Sequence, residues 1–357
     1  MSRVGFAIAS TVIALCACGD NIKETVGDAA GNGSGSNTPM DAAVDAQMID
    51  AFVPDSPPAQ GSFYHYVASR VLLPATTTEA TEYGLDLNGD GTVDNAVGKL
   101  LATLASQGGN PQVDSDEAVY GGQFTLLADI QTTDFTTAPA AGFALFSGID
   151  PVPPACNTGE KVACTAGGVC TGCQHDLTGS GAFTVDPNVP ANPALLGSIT
   201  NGTFNAGPGA LTLGLSIAGA AIELDLIGAR IQASGITATA IGTQADTTTG
   251  VIIGGGIPQS EIDTKIDPAI ATVLNATLMA GCTGYGSAGC TCTSSGAKTI
   301  LTLFDTNGDC TIEVTEIENS TIAQAYLKPD VTLEGMKCLS IGVKAYAVGA
   351  TYTVAGE

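Results

Sequence analysis

The sequence predicts an α+β fold, in which an antiparallel, sandwich-like β-sheet meander is flanked by short helices and acidic loops. Three observations lead to this prediction. Apolar residues alternate with small or polar residues over long stretches, as in strands with one buried face. Apolar residues recur at helical spacing in shorter stretches. Loops rich in Asp, Asn and Gly separate several of these segments.

The alternation is clearest from Leu211 to Ile217 and from Ile222 to Leu226. After Leu226 the phase shifts by one residue at Gly228, which predicts a β-bulge. The pattern resumes up to Ile241. Further strands are predicted at Phe124–Ile130, Gly142–Phe146 and Ser340–Val354.

Helices are predicted in three places. Val97 to Leu104 has apolar residues at spacings of three and four. Gln259 to Met279 is helical with an interruption at Pro268. Ser320 to Leu327 forms the third helix and stops before the next proline.

Acidic residues outnumber basic residues by 35 to 11, so the 357-residue chain has a formal net charge of -24. Because no basic patch is present, we do not expect nucleic acid as a partner. A net charge of this sign attracts cations and disfavours an anionic lipid surface. The length allows one large domain or two small ones, and we expect one.

The N-terminus has the features of an export signal. An apolar run from Val4 to Leu15 is too short to span a bilayer as a stable helix. The following Ala17-Cys18 resembles the bacterial lipobox, which implies a signal peptide at residues 1–17 and lipidation of Cys18. By the same resemblance, Gly19 after the cysteine implies an outer-membrane destination. The alternative is an ordinary cleaved signal peptide.

Residues 18–61 are predicted to form a disordered tether, because they are rich in Asp, Ala, Pro, Gly and Ser and poor in large apolar residues. Residues 62–357 are predicted to form a single globular domain. The membrane, reached through the lipid anchor, is the expected partner of the chain.

The segment Asp305–Glu316 resembles an EF-hand calcium loop. A calcium ion takes six to eight oxygen ligands, and alternate residues of a curled loop can supply them from positions 1, 3, 5, 7, 9 and 12. Position 6 is usually Gly, which adopts a positive φ, and here it is Cys310. The predicted calcium donors are Asp305, Asn307, Asp309, the carbonyl of Thr311, Glu313 and Glu316.

Another calcium loop is predicted nearer the N-terminus, where it begins at Asp86. It has Gly91 at position 6, but Val97 at position 12 cannot supply the bidentate carboxylate. A distal acid could complete the shell, and Asp94 could also cap the following helix. The alternative for both loops is a solvated acidic turn. The predicted donors are Asp86, Asn88, Asp90, the carbonyl of Thr92 and Asp94, with Asp114, Asp116 and Glu117 as distal candidates.

Nine cysteines lie between Cys156 and Cys338, and this density favours disulfides in an oxidising compartment. We expect one bridge within 282–292, one between Cys310 and Cys338, and one unpaired thiol. Cys170 and Cys173 could alternatively hold zinc or act as a redox pair. The disulfide candidates are Cys156, Cys164, Cys170, Cys173, Cys282, Cys290, Cys292, Cys310 and Cys338.

No catalytic motif is found, so the chain is not predicted to be an enzyme. The two histidines are His65, in an aromatic stretch where a packed or surface role is expected, and His175 beside Cys173.

Taken together, the lipobox, the tether, the Asp86 loop and the segment Leu327–Val331 resemble a group of uncharacterised exported lipoproteins of Gram-negative bacteria with EF-hand-like calcium-binding loops. The resemblance implies a cell-envelope location and no defined activity. We expect a membrane-anchored lipoprotein with a calcium-stabilised domain and a binding or structural role at the cell surface. An exported hydrolase with an unrecognised site and a carrier of apolar ligands are the alternatives.

Overall fold

The computed structural model describes residues 57–354, apart from residues 107–110, 150–155, 157–159, 166, 173–175, 190–191 and 218–219. The predicted signal peptide, Cys18 and most of the predicted tether therefore lie outside the described residues, as do Cys173 and His175. The first strand begins at Ser62, where the sequence predicts the globular domain to begin.

Eight antiparallel strands form a closed barrel. Each strand pairs with the next one along the chain, and the first pairs with the last. The strands are Ser62–Leu72 (β1), Thr125–Thr132 (β2), Ala138–Ile149 (β3), Leu195–Thr200 (β4), Thr203–Ile217 (β5), Ala220–Ser234 (β6), Gly250–Pro258 (β7) and Met336–Thr351 (β8).

The closed barrel corrects the predicted fold class. The meander order is present, but the prediction of an open, sandwich-like α+β sheet is wrong, because the sheet closes and strand (41%) exceeds helix (25%). Closure depends on β1 pairing with β8, for example Tyr66 with Gly349. No local pattern in the sequence reveals a pairing between the two ends of the domain.

The bulge predicted at Gly228 is confirmed. Gly228 has a φ of 58°, and the register of β6 shifts here against both β5 and β7. The shift keeps Leu226 and Ile231 in the same core although their sequence phase differs. The segment beyond β6 is a small hairpin of Ile236–Thr237 and Ala240–Ile241, not a continuous strand.

The helices pack outside the barrel, in two connections. They are Thr77–Glu82 (α1), Ala96–Ser106 (α2), Pro111–Tyr120 (α3), Gln259–Glu261 (α4), Asp267–Gly281 (α5), Ser295–Phe304 (α6), Val314–Glu318 (α7) and Thr321–Tyr326 (α8). A π-helical turn at Ile262–Ile266 joins α4 to α5, so the predicted interruption lies just before Pro268. Among the described residues, no helix is long and apolar enough to cross a membrane.

Short strands complete the structure. Four of them form two hairpins that contain cysteines, and three pair with the ends of β3 or β8. The hairpins are Ala163–Cys164 with Cys170–Thr171 and Cys282–Thr283 with Thr291–Cys292; the additions are Gly181–Ala182, Thr184–Val185 and Val331–Leu333.

One hydrophobic cluster draws residues from all eight strands and fills the barrel interior. Tyr66, Phe143 and Phe204 are its largest members and are fully buried. Each buried side chain of this size contributes roughly 1.5–3 kcal/mol to the free energy of unfolding. A separate cluster joins α5, α6 and α7 to the loop at Asp305–Glu316.

Candidate functional site

Both acidic loops have the backbone that a tight cation-binding turn requires. In the loop at Asp305–Glu316, Gly308 at position 4 and Cys310 at position 6 have φ values of 74° and 68°. Gly89 and Gly91, at the same positions of the other loop, have φ values of 79° and 85°. Cys310 therefore adopts the left-handed conformation normally supplied by Gly, and the unusual residue leaves the turn intact.

Side chains at positions 1, 3 and 5 hold this turn in the loop at Asp305–Glu316, which is called the second loop because it comes later in the chain. The Asp305 carboxylate accepts a hydrogen bond from the backbone N–H of Cys310 at 3.0 Å. Asn307 Oδ1 accepts one from the N–H of Asp309 at 2.9 Å. Asp309 Oδ1 accepts one from the N–H of Thr311 at 2.8 Å.

The loop that begins at Asp86, called the first loop, has the same three hydrogen bonds at the equivalent positions. Asp86 accepts a hydrogen bond from the backbone N–H of Gly91 at 2.9 Å. Asn88 Oδ1 accepts one from the N–H of Asp90 at 2.9 Å, and Asp90 accepts one from the N–H of Thr92 at 2.8 Å. Positions 1 to 7 of the two loops are thus built alike.

In each loop, one carboxylate closes the loop by accepting a hydrogen bond from the backbone N–H at position 2. This carboxylate stands at a different position in the two loops. Glu316, at position 12, accepts hydrogen bonds from the backbone N–H groups of Thr306 at 2.7 Å and Asn307 at 3.2 Å. Asp94, at position 9, accepts one from the N–H of Leu87 at 2.9 Å. Asp94 therefore takes the place of the acid that the first loop lacks at position 12.

The distal acids suggested for the first loop are engaged elsewhere. Asp116 forms a two-pronged ion pair with Arg70, with both nitrogen–oxygen distances at 2.9 Å. Glu117 accepts a hydrogen bond from the backbone N–H of Cys164 at 3.3 Å. The side chain of Asp114 lies outside the described part of the structure.

A different acid lies near the first loop. Burial raises the pKa of Asp94, and the negative charges of Asp90 and Asp330 raise it further. Asp330 belongs to the Lys-Pro-Asp segment before β8, and its carboxylate accepts hydrogen bonds from the N–H and hydroxyl of Ser340 at 2.7 and 2.6 Å. The sequence marked this segment only as part of a resemblance.

Hydrogen bonds lower the pKa values of two carboxylates in the second loop. Hydrogen bonds from the Thr311 hydroxyl and N–H, together with Asn307, lower the pKa of Asp309. Glu316 is buried, which alone would raise its pKa, but hydrogen bonds from Glu313, Thr306 and Asn307 lower it overall. The pKa of Asp90 in the first loop is lowered in the same way as that of Asp309, so the loops differ at the closing carboxylate, whose pKa is raised for Asp94 and lowered for Glu316.

One asparagine fixes each loop to the rest of the domain. Asn275 of α5 donates to the carbonyl of Ile312 and accepts from its N–H, both at 2.8 Å. Asn95 does the same for Gly342 in β8, at 3.0 and 2.9 Å. Asn95 also accepts the Gly98 N–H, so it caps α2, and the prediction that Asp94 caps this helix is wrong.

The four cysteines 282, 290, 292 and 310 are closer together than the loop acids are. They form the one group of three or more Cys, His, Asp or Glu residues, among those that the structure describes, whose ligand atoms all lie within 4.8 Å of each other. The loop carboxylates at position 1 instead accept hydrogen bonds from backbone N–H groups of their own loops.

The cysteine pairings are partly as predicted. The disulfides are Cys164–Cys170, Cys282–Cys292 and Cys290–Cys310. The bridge within 282–292 is confirmed, and the predicted bridge between Cys310 and Cys338 is wrong. Cys338 is a buried free thiol in β8, whereas Cys310 is bonded to Cys290, which packs against the cluster of α5, α6 and α7. Cys156 is also disulfide-bonded.

His65 is part of a packed polar group on the outer side of the barrel. Its Nδ1 lies 2.7 Å from Oδ1 of the buried Asp129. The Tyr352 hydroxyl donates to the same oxygen at 2.6 Å, and the rings of His65 and Tyr352 lie 4.8 Å apart. These contacts link β1, β2 and the segment after β8.

Comparisons of the chain with protein-family models, with curated protein sequences and with solved structures found no significant match. Function is therefore inferred from the loops, the cysteines and the barrel themselves.

Proposed function

We propose that the chain is a membrane-anchored lipoprotein whose barrel domain is stabilised by calcium in two loops, and that it has a binding or structural role at the cell surface. The observation that carries the proposal is the agreement between the loops. They are far apart in sequence, yet they share the same hydrogen bonds at positions 1, 3 and 5 and the same positive φ values.

The donor chemistry supports calcium as the ion. Each loop offers carboxylate, amide and carbonyl oxygens, which are the ligands that hard cations take. Three carboxylates in a short loop repel one another, and a bound divalent ion would remove that repulsion. The donors of the second loop would be Asp305, Asn307, Asp309, Thr311, Glu313 and Glu316; those of the first would be Asp86, Asn88, Asp90, Thr92 and Asp94.

Calorimetric titration of calcium into the chelator-treated full chain tests the proposal. Two binding events are expected, with a rise of several degrees in melting temperature at millimolar calcium. Asp86→Asn with Asp90→Asn should remove one event, and Asp305→Asn with Asp309→Asn the other.

Asp134→Asn is the matched control. Asp134 also accepts two backbone N–H groups in an exposed acidic turn, at 2.6 and 2.8 Å, but lies outside both loops. The control should keep both binding events. Absence of heat and an unchanged melting temperature in the wild-type chain would rule out calcium.

The anchor is tested separately. We expect the wild-type chain to incorporate labelled palmitate and to sediment with the membrane fraction. Cys18→Ala should lose both properties. A wild-type chain that is processed but carries no label would contradict lipidation.

The barrel favours this reading over a carrier of apolar ligands. Its interior is filled by side chains from all eight strands. A surface depression of about 490 Å³ beside the first loop includes the polar residues Asn205, Arg230 and Gln232 in its lining. A hydrolase remains the other alternative.

A further inference from the structure

Four cysteine sulfurs meet at one place beside the second loop. Cys282 and Cys292 lie opposite each other in a two-stranded hairpin, and Cys290 lies just before its second strand. Cys310 comes from position 6 of the loop Asp305–Glu316. All four Sγ atoms lie within 4.8 Å of one another, so each sulfur is near the other three and not only near its disulfide partner.

This arrangement matches the needs of a tetrahedral metal centre. With zinc–sulfur bonds of about 2.3 Å, the sulfurs of a four-cysteine zinc site lie about 3.8 Å apart. We propose that, in the reduced chain, Cys282, Cys290, Cys292 and Cys310 hold one zinc ion as a tetrathiolate. Two disulfides occupy the same position in the oxidised chain.

The surroundings suit a thiolate site. Cys292 and Cys310 are 6% and 1% exposed, and Cys282 and Cys290 are half-buried. They border the apolar cluster of α5, α6 and α7. Sulfur ligands select a soft or borderline ion such as zinc, whereas the oxygen donors of the neighbouring loop select a hard ion. The proposed zinc centre therefore uses a different set of donor atoms from the calcium proposal, although Cys310 belongs to the loop Asp305–Glu316.

Conversion between the two states balances chemically. A dithiol reductant transfers one electron pair to each disulfide, which breaks both sulfur–sulfur bonds and yields four thiols. Zinc then forms four zinc–sulfur bonds and displaces four protons. A disulfide oxidant takes back the two electron pairs, re-forms the bridges and releases the zinc.

Metal binding is tested in full chain carrying Cys164→Ser and Cys170→Ser, which removes the other described disulfide. The chain is reduced anaerobically, desalted and given zinc in the presence of excess calcium, which blocks the acidic loops. One zinc per chain is expected by elemental analysis. Cobalt in place of zinc should give the intense visible absorption of a tetrahedral thiolate complex.

Addition of Cys282→Ser and Cys292→Ser should abolish binding, while circular dichroism reports whether the barrel persists. Because that variant could misfold, alkylation of the parent chain provides a second measurement. In the folded chain, zinc should slow the alkylation of the four named cysteines by iodoacetamide relative to the zinc-free reduced chain, as located by mass spectrometry. Zinc retained after Cys282 and Cys292 are replaced, or a fully reduced chain that binds none, would overturn the proposal.

Discussion

Asn95 pairs with Gly342 in the way that one strand residue pairs with another. Its side-chain amide donates to the Gly342 carbonyl and accepts from the Gly342 N–H, and Asn95 is fully buried. A Cβ atom on Gly342 would lie 2.5 Å from the carbonyl oxygen of Tyr83, so only glycine allows this approach. This pair attaches the first acidic loop and α2 to the barrel.

Asn95→Ala is expected to lower the free energy of unfolding by about 2–4 kcal/mol, because it leaves buried partners in β8 and α2 without hydrogen bonds. Urea unfolding measures the loss. Asn205→Ala is the control, since Asn205 is exposed and its side chain accepts a hydrogen bond from Gln232. Equal losses of unfolding free energy for the two variants would show that the pair with Gly342 stabilises the domain no more than an exposed hydrogen bond does.

The disulfide at Cys310 is expected to prepare the second loop for calcium. A non-glycine residue with positive φ costs about 1–2 kcal/mol, and the bridge to Cys290 holds Cys310 in that conformation. Cys290→Ser with Cys310→Ser should therefore weaken calcium binding about five- to thirtyfold.

A glycine at position 6 should reverse most of that loss. Cys290→Ser with Cys310→Gly also lacks the bridge but adopts the positive φ freely. Calorimetry on the two double variants compares them directly. If the serine and glycine variants bound calcium equally weakly, the bridge itself, and not the φ angle, would be the deciding factor.

The two loops should lose calcium at different pH values. Protons compete with calcium for carboxylates, and the pKa of Asp94 is raised whereas the pKa values of Asp309 and Glu316 are lowered. As pH falls, Asp94 takes up its proton first, so the first loop should release calcium at higher pH. Titrations of the single-loop variants between pH 7 and 4 measure the order. Release from the second loop first would contradict it.

Asp267 should destabilise the domain above neutral pH. It is 3% exposed, and burial, with the charges of Asp263 and Glu318, raises its pKa to about 6 from 3.8. A raised carboxyl pKa means that the folded chain binds the proton more tightly. The stability that this proton provides is complete below about pH 4 and is lost as pH rises through 6.

Asp267→Asn is therefore expected to be more stable than the wild-type chain by about 1–3 kcal/mol at pH 8 and equal to it near pH 4. Urea unfolding at both pH values measures this. Asp263→Asn, an exposed neighbour, should have a smaller effect at pH 8. A pH-independent difference for Asp267→Asn would exclude titration as its cause.

Local features of the fold could be predicted from sequence. The bulge at Gly228, the helix α2 and the helix capped by Ser320 each follow from spacing within a few residues. The strand β7 could not be predicted from sequence, because Gly254–Gly256 interrupt the apolar alternation. In the structure these glycines let neighbours approach: a Cβ on Gly256 would lie 2.6 Å from that of Cys338.

The candidate site was predictable to the same extent. Residue spacing identified the members of both loops, because each position lies a fixed number of residues from the first. The closing role of Asp94 depends on how the chain folds back to Leu87, and the bridge from Cys290 to Cys310 joins separate elements. Such distances exist only in the folded chain.

The last strand of the barrel pairs with two other barrel strands, since β8 lies between β7 and β1. During synthesis, the edges of those two strands stay unpaired until the C-terminal part of the chain has been made. Exposed strand edges are templates for aggregation. A chain truncated before residue 336 would thus keep the edges of β1 and β7 unpaired. Such a product would be a substrate for quality-control proteases and chaperones.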